Sequence, residues 1–517
     1  MKITLSKTVA AAMAAFANGD VASTEQLCKA ELDRNPKSGR AWALLAETAW
    51  LRNRPDAARI CADRAATHSP DDALCQITRA KIMHLRGEAA EALNAAQSAA
   101  PLATSPVAQD SLAAVFGLLG RHAQALELSR CAVAARPDEA QFLFNLAATE
   151  RMLGALDAAE AHCDAAIARR PNFALAYYLR SDLRCQTTTR NHIEEIRDRL
   201  RQGVTNALDE ATLRYALAKE FEDLQEDARA FAEVAAAARL WRDNMRYDAK
   251  AELTFVYRLI ETQNTTRLAS LPKSRLDASP IFVCGLPRSG TTLAERILAS
   301  HSAIESIGET NYFAVESTRA ARGSRADFGA LGAAYLAAIE SVCAPTKNRI
   351  LDKTLENYLY CGLIHAALPR AKIILIERDP MDMAWSLYKA HFNGKFLFSY
   401  DLQELADYCV AYRRLAEHWR KTLPSACVLT VRYEDIVADI ATQSRRMIEF
   451  LGLPWEDGVL RFHESRAPSA TASAVQIRRP LYDTSVGKWR RHAQALEPFR
   501  DRLKQLAPDL VTDMTSV

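Results

Sequence analysis

The sequence predicts an α-helical repeat solenoid followed by an α/β domain built on a parallel sheet, and three features carry that prediction. Turn residues recur about every 34 positions through the first third of the chain. A short apolar run at 281–284 leads directly into a glycine-rich loop and a helical pattern. A second apolar run, 372–377, ends at an arginine followed by a helix-start signal.

The repeat comes first. Gly19, Asn53, Gly87, Gly120 and Gly154 follow one another at steps of 34, 34, 33 and 34 residues, each closing a helical hairpin. Seventeen residues after four of these markers stand Pro36, Pro70, Pro137 and Pro171; the third repeat has Thr104 there, with Pro106 close by. Proline ends the second helix of a pair because it has no backbone N–H and clashes with the preceding turn. Five and twelve positions after the markers stand Ala58 and Ala65, Ala92 and Ala99, Ala125 and Ala132, Ala159 and Ala166, small enough for two helices to approach closely. The pattern resembles the tetratricopeptide repeat over about residues 5–185, including one more helix at 172–184. That resemblance implies a solenoid whose concave groove holds a protein or peptide, with a purely scaffolding or self-associating array as the alternative.

Helical patterning continues from Arg190 to about Thr265, with Leu213–Leu240 reading as a weaker hairpin that serves as a connector. Periodicity is lost over 265–280, where Pro272, Ser274, Ser279 and Pro280 place a boundary. The expected domains are the repeats at 1–186, a connector with a degenerate repeat at 187–275, and the α/β domain at 276–517.

Composition limits what these parts do. Lys and Arg number 66 against 63 Asp and Glu over 517 residues, a net charge of +3 that supplies no bulk field for nucleic acid or an acidic membrane. Any anion site is therefore local. The 11 cysteines include no C-x-x-C spacing, which argues against a zinc ribbon or a disulfide framework and for free thiols in a reducing compartment. No run of about 18 strongly apolar residues is present, so no membrane span is expected. The alanine-rich stretch 8–17 behind Lys2 and Lys7 has the outline of a signal peptide but fits the first repeat, and a cytoplasmic location is expected.

In the α/β domain, Ile281-Phe282-Val283-Cys284 suits a buried parallel strand, Gly285 to Thr292 form the loop, and Leu293 to Leu298 continue as a helix. Such a loop lets backbone N–H groups converge on an anion at a helix start, with hydroxyls adding donors. Against the nucleotide-triphosphate pattern G-x-x-x-x-G-K-[ST], Gly285, Gly290 and Thr292 are in place but Thr291 replaces the lysine. A variant triphosphate enzyme is the disfavoured alternative. Further on, Lys372 to Glu377 reads as a strand ending at Arg378, Asp379-Pro380 as an N-cap and first helical residue, and Ser386 lies eight residues beyond Arg378.

The loop Pro287-Arg288-Ser289-Gly290-Thr291-Thr292 resembles the 5′-phosphosulfate loop of sulfotransferases that use 3′-phosphoadenylyl sulfate (PAPS), and Arg378 with Ser386 resembles that family's 3′-phosphate site. Val431 to Asp435 resembles its strand with a tyrosine, Tyr433, beside the nucleotide; Phe450 to Trp455 resembles its downstream helix end. Ser473 to Gln476, Pro480 to Tyr482 and Gly487-Lys488-Trp489 resemble its C-terminal loop. With Gly308-Glu309-Thr310, the tyrosylprotein sulfotransferases and their bacterial repeat-fused relatives are the branch most similar.

The resemblance implies a PAPS-dependent sulfotransferase with Arg288, Ser289, Gly290, Thr291, Thr292, Arg378, Ser386, Tyr433 and Lys488 on the nucleotide, and no metal. It implies Glu309 as the base that takes the acceptor proton, Lys353 as a donor to the leaving phosphate, and Ser473 as a second such donor. A phenol has an ordinary pKa of about 10, so a base is needed near neutral pH. The branch commonly reads Gly-Glu-Glu-Thr followed by an arginine, whereas this sequence reads Gly308-Glu309-Thr310-Asn311. A protein tyrosine is the leading acceptor, with carbohydrate, lipid or a small phenol as alternatives, and a non-catalytic nucleotide-binding adaptor as the remaining class.

Overall fold

The computed structural model describes residues 6–272, 274–321, 327–343, 345–347, 349–464 and 485–509. The chain forms two compact units, Met1–Leu153 with Ala337–Ala344, and Gly154–Leu336 with Pro345–Val517.

The first unit contains α1 (Lys7–Ala17), α2 (Val21–Arg34), α3 (Gly39–Leu51), α4 (Pro55–His68), α5 (Ala73–Leu85), α6 (Ala89–Ala99), α7 (Pro106–Leu118), α8 (His122–Ala135) and α9 (Ala140–Leu153). Every hairpin turn expected from the period is there. Gly19, Asn53, Gly87, Gly120 and Gly154 all have positive φ, between 55° and 85°, which glycine and asparagine tolerate better than other residues. Helices α2, α4 and α8 end two residues before Pro36, Pro70 and Pro137, while Pro106 opens α7 behind the N-cap Ser105. The recurring alanines, Ala58 through Ala166, are buried wherever the period places them.

The second unit begins with α10 (Leu156–Arg169), α11 (Ala174–Asp182), α12 (Ile193–Arg201), α13 (Ala207–Asp223), α14 (Asp227–Asp243), α15 (Ala249–Thr262) and α16 (Thr265–Ser270). The connector hairpin is α13–α14, longer than its sequence pattern suggested. Its turn residue Gln225 has φ +62°, in the place that glycine or asparagine holds in the repeats. Helix continues to Ser270, so the irregular linker is shorter than 265–280.

A five-stranded parallel sheet follows, formed by β1 (Ile281–Cys284), β2 (Ile304–Gly308), β3 (Arg349–Asp352), β4 (Lys372–Glu377) and β5 (Val428–Arg432), in the order β2-β3-β1-β4-β5. The accompanying helices are α17 (Thr291–Ala299), α18 (Tyr312–Ala321), α19 (Phe328–Cys343), α20 (Cys361–Ala367), α21 (Pro380–Tyr388), α22 (Leu402–Thr422), α23 (Tyr433–Ala438), α24 (Ile440–Phe450) and α25 (Glu497–Leu506). Side chains of β1 alternate between faces. Ile281 and Val283 join Ile297, Leu298, Ile374, Ile376 and Val431 in one buried cluster, while the Phe282 ring stacks on Tyr335 at 5.6 Å. From β1 the chain passes to one side of the sheet for β2 and β3, then crosses to the other for β4 and β5. Ligands of such sheets bind outside the carboxyl ends of the strands at this switch.

Candidate active site

Each strand delivers one of the expected residues at its carboxyl end. β1 runs into the glycine loop, β2 into Glu309, β3 into Lys353, β4 into Arg378 and β5 into Tyr433. Tyr433 itself is the first residue of α23 rather than part of the strand.

The loop is built by close approach. Gly290 caps α17 with φ +103°, and a Cβ there would lie 2.4 Å from Cδ2 of Tyr433. A Cβ on Gly285 would lie 2.6 Å from the Ile376 carbonyl oxygen and 2.9 Å from Ser289 Oγ. Arg288 also has positive φ, +66°. Thr291 and Thr292 are the first two residues of α17, both buried, where helix N–H groups lack carbonyl partners within the helix. Ser289 Oγ is buried and makes no hydrogen bond within the described residues. These features fit an anion held by the loop.

Arg378 and Ser386, 90 and 98 residues beyond Arg288, both meet it. Arg378 donates through Nη1 to the Arg288 carbonyl at 2.9 Å and through Nη2 to the Ser485 carbonyl at 2.7 Å. Its guanidinium lies 4.7 Å from the ring centre of Tyr433, and its Nε is buried without a hydrogen-bond partner among the described residues. Arg288 Nε donates to Ser386 Oγ at 3.2 Å. Helix α21 starts as its sequence indicates, with Asp379 accepting from the N–H groups of Met381 and Asp382 at 2.9 and 3.0 Å and Pro380 at the first helical position.

On the other side of β1, Lys353 Nζ is hydrogen-bonded to Glu309 Oε1 and lies 3.7 Å from Glu295 Oε2. The lysine side chain is 1% exposed and that of Glu309 46%, so the carboxylate faces solvent while the ammonium is enclosed. The loop and the lysine are adjacent, because the Gly285 N–H donates to the Leu355 carbonyl at 3.3 Å. Lys353 N–H donates to the Gly308 carbonyl at 2.9 Å, which ties the ends of β2 and β3 together.

Several supporting residues had no sequence signal of their own. Asp352 is fully buried and accepts from Thr354 N and Oγ1 at 2.9 and 2.6 Å, Tyr335 Oη at 3.0 Å and Thr310 Oγ1 at 3.2 Å. Burial raises its pKa, and those hydrogen bonds oppose the rise. Asp382 accepts from the N–H groups of Gly487 and Trp489 at 2.6 and 3.0 Å, and burial likewise raises it against those bonds. Tyr433 Oη and Ser485 Oγ are 2.6 Å apart. Lys488 is described with its Nζ 2.9 Å from Glu222 on α13. Ser473 lies outside the described residues.

Residues 280–457 match the model of the sulfotransferase family, and residues 15–82 match the tetratricopeptide repeat. The chain carries a sulfotransferase domain behind tetratricopeptide repeats. Among curated proteins, an uncharacterized protein of Aquifex aeolicus (strain VF5) is 31% identical over 317 residues, 57% of this chain and 41% of its own. Protein-tyrosine sulfotransferase 1 of Danio rerio is 25% identical over 244 residues, 41% of this chain and 66% of its own. The matches thus span less than two thirds of either relative. Among solved structures, the sulfotransferase domain from the curacin biosynthetic pathway has 15% identity and a TM-score of 0.35, covering 46% of this chain and 99% of that one.

Within the sulfotransferase domain, the first and fourth strands carry the loop and the Arg378 pair, and the second and third carry the Glu309–Lys353 pair. Among the described residues, no group of three His, Cys, Asp or Glu side chains is placed to hold a metal, and no helix is long and apolar enough to cross a membrane.

Proposed function

We propose that the protein transfers a sulfuryl group from PAPS to a hydroxyl acceptor, a protein tyrosine being the leading candidate, while the repeats hold a protein partner or the substrate. The observation that carries the proposal is the convergence on one sheet edge of a buried cation bonded to a carboxylate, Lys353 and Glu309, with a glycine loop flanked by Arg288 and Arg378. The unspent donors of Ser289 and Arg378 suit the phosphates of PAPS, which when bound supplies the activated sulfuryl group.

The residues then divide the work. Loop amides and Arg288 hold the 5′ end, and Arg378 with Ser386 hold the 3′-phosphate, where a planar, permanently charged fork suits a phosphate dianion. The transfer breaks the sulfur bond to the bridging phosphate oxygen and forms one to the acceptor oxygen, whose proton passes to Glu309. Protonating Glu309 removes the charge that engages Lys353, which leaves the ammonium free to donate to the oxygen gaining negative charge. A loose transition state of this kind is served mainly by position and charge.

The tyrosine acceptor is supported by the Danio rerio relative, whose name is protein-tyrosine sulfotransferase 1. The test is calorimetric titration with adenosine 3′,5′-bisphosphate (PAP) in EDTA beside ATP with Mg2+, then transfer from labelled PAPS to tyrosine peptides, carbohydrates, lipids and small phenols. Binding of PAP without ATP, with label on a tyrosine peptide, is the expected result. ATP binding indifferent to the 3′-phosphate removes the donor assignment, and label confined to another class of acceptor removes the tyrosine assignment.

A further inference from the structure

One of the ties between the helical connector and the sulfotransferase domain is a largely buried carboxylate. Glu222, near the end of α13, has a side chain 11% exposed. Its Oε1 accepts from Lys389 Nζ at 2.6 Å and Trp385 Nε1 at 3.2 Å and lies 2.9 Å from Lys488 Nζ; its Oε2 accepts from Lys389 at 2.7 Å. Both lysines belong to segments that build the nucleotide site. Asp382, Ser386 and Lys389 are spaced i, i+4 and i+7 along α21 and its last turn, hence on one face. The first of them holds the Gly487 and Trp489 amides and the second receives Arg288. The third is held by Glu222.

The segment 485–492 is tied down by the same neighbours. Ser485 is bonded to Arg378 and Tyr433, Gly487 and Trp489 to Asp382, and Lys488 is paired with Glu222. Arg491 pairs with Asp227 of α14 at 2.7 Å, and the His492 ring lies 3.8 Å from that of Trp385. Two of these ties, Glu222 and Asp227, come from the connector.

We propose that Glu222 is a positioning residue of the donor site: from outside the sheet domain it holds Lys389 and Lys488 beside Arg288 and fixes segment 485–492 against α21, so that donor binding depends on the connector hairpin. The inference rests on the PAPS reading above. Three cations gathered where an anion is to bind repel one another when the site is empty, and one enclosed carboxylate bonded to two of them offsets that repulsion and sets their geometry. The electrostatics agree. Burial alone would raise Glu222, yet Lys389 and Lys488 together hold it below the usual carboxylate range. Burial lowers Lys389 to about 8 against the opposing pull of Glu222, and Lys488 and Arg288 add to that lowering.

The test is PAP titration of the full-length protein and of Glu222→Gln, Lys488→Gln and the double variant, with thermal unfolding recorded beside each. Positioning predicts that Glu222→Gln weakens PAP binding by about tenfold or more, the effect of removing one charge-assisted hydrogen bond. It also predicts that the two losses are less than additive in the double variant, since part of what Glu222 does runs through Lys488. With a labelled acceptor in hand, KM for PAPS rises while kcat stays within about twofold, a split that general loosening of the fold does not produce. If Glu222→Gln fails to fold, Glu222→Gln/Lys389→Met removes the buried charge imbalance and still leaves Lys488 unheld, with the same weakened binding expected. Equal or tighter PAP binding by the variants overturns the proposal, because deleting a nearby negative charge without a positioning role favours an anion. Absence of PAP binding by the unaltered protein overturns the donor reading together with it.

Discussion

Replacing Arg378 with alanine separates its two roles, because one ligand carries the group that Arg378 is assigned to and a close analogue does not. The guanidinium makes two hydrogen bonds, to the carbonyls of Arg288 and Ser485, and stacks near Tyr433. Its Nε is buried and has no hydrogen-bond partner among the described residues. A charge-assisted hydrogen bond is worth about 1.5–3 kcal/mol, and each 1.4 kcal/mol is a decade of affinity, so removing the hydrogen bond to the 3′-phosphate costs roughly 10- to 150-fold in PAP binding. Removing the two bonds to carbonyls loosens residues 288 and 485 and weakens any nucleotide. Titrating PAP and adenosine 5′-monophosphate against Arg378→Ala distinguishes the two effects. The expected outcome is a fall of at least about tenfold in the preference for PAP over the monophosphate, whatever the common loss. Arg378→Lys keeps the charge but not the fork, and falls between the parent and the alanine variant. An unchanged PAP preference in Arg378→Ala would refute the 3′-phosphate assignment and leave the arginine as a brace between the loop and residue 485.

Three further outcomes follow from the geometry. Glu309→Gln leaves PAP affinity nearly intact and slows transfer by about 10² or more in a single-turnover assay, and undiminished turnover would exclude Glu309 as the base. Gly290→Ala meets both a positive φ of 103° and the Tyr433 ring 2.4 Å away, a loss of roughly 2–5 kcal/mol; Gly308→Ala, with φ +70° and nothing within 4 Å, bears the backbone strain alone, so its unfolding midpoint falls less. In the repeats, burial raises Asp110 to about 6 from an ordinary 3.8, against two hydrogen bonds from Asn145. Since the folded value lies above the unfolded one, the stability this group contributes is present below pH 3.8 and lost as pH rises through 6. Asp110→Asn therefore raises the thermal midpoint relative to the parent more at pH 8 than at pH 5, and an equal change at both would contradict the buried carboxylate.

The repeat architecture was legible in the sequence because its constraints are local and recur. A hairpin turn demands a left-handed residue, a helix end admits proline two residues later, and a tight helix crossing demands alanine, so Gly19, Pro36 and Ala58 reappear with the period of the fold. The strand, loop and helix at 281–299 were equally legible, since all three are consecutive. The Asp379-Pro380 helix start was readable for the same reason. What lay beyond the sequence was the choice of partners. Lys353 had acidic neighbours at 352 and 356, yet its ammonium pairs with Glu309 and Glu295, because parallel pairing of β2 with β3 brings strand ends 44 residues apart to one edge. Arg378 had Asp379 and Asp382 beside it, yet it bonds to two backbone carbonyls, and those carboxylates are engaged by helix and segment amides instead. Glu222 lies 167 residues from Lys389 in the sequence, and only the folded chain brings the two together and encloses the carboxylate. Periodicity and turn chemistry record what a residue does for its own helix or loop; the joining of distant strand ends into one charged site is decided by the sheet order, which leaves no periodic mark on the chain.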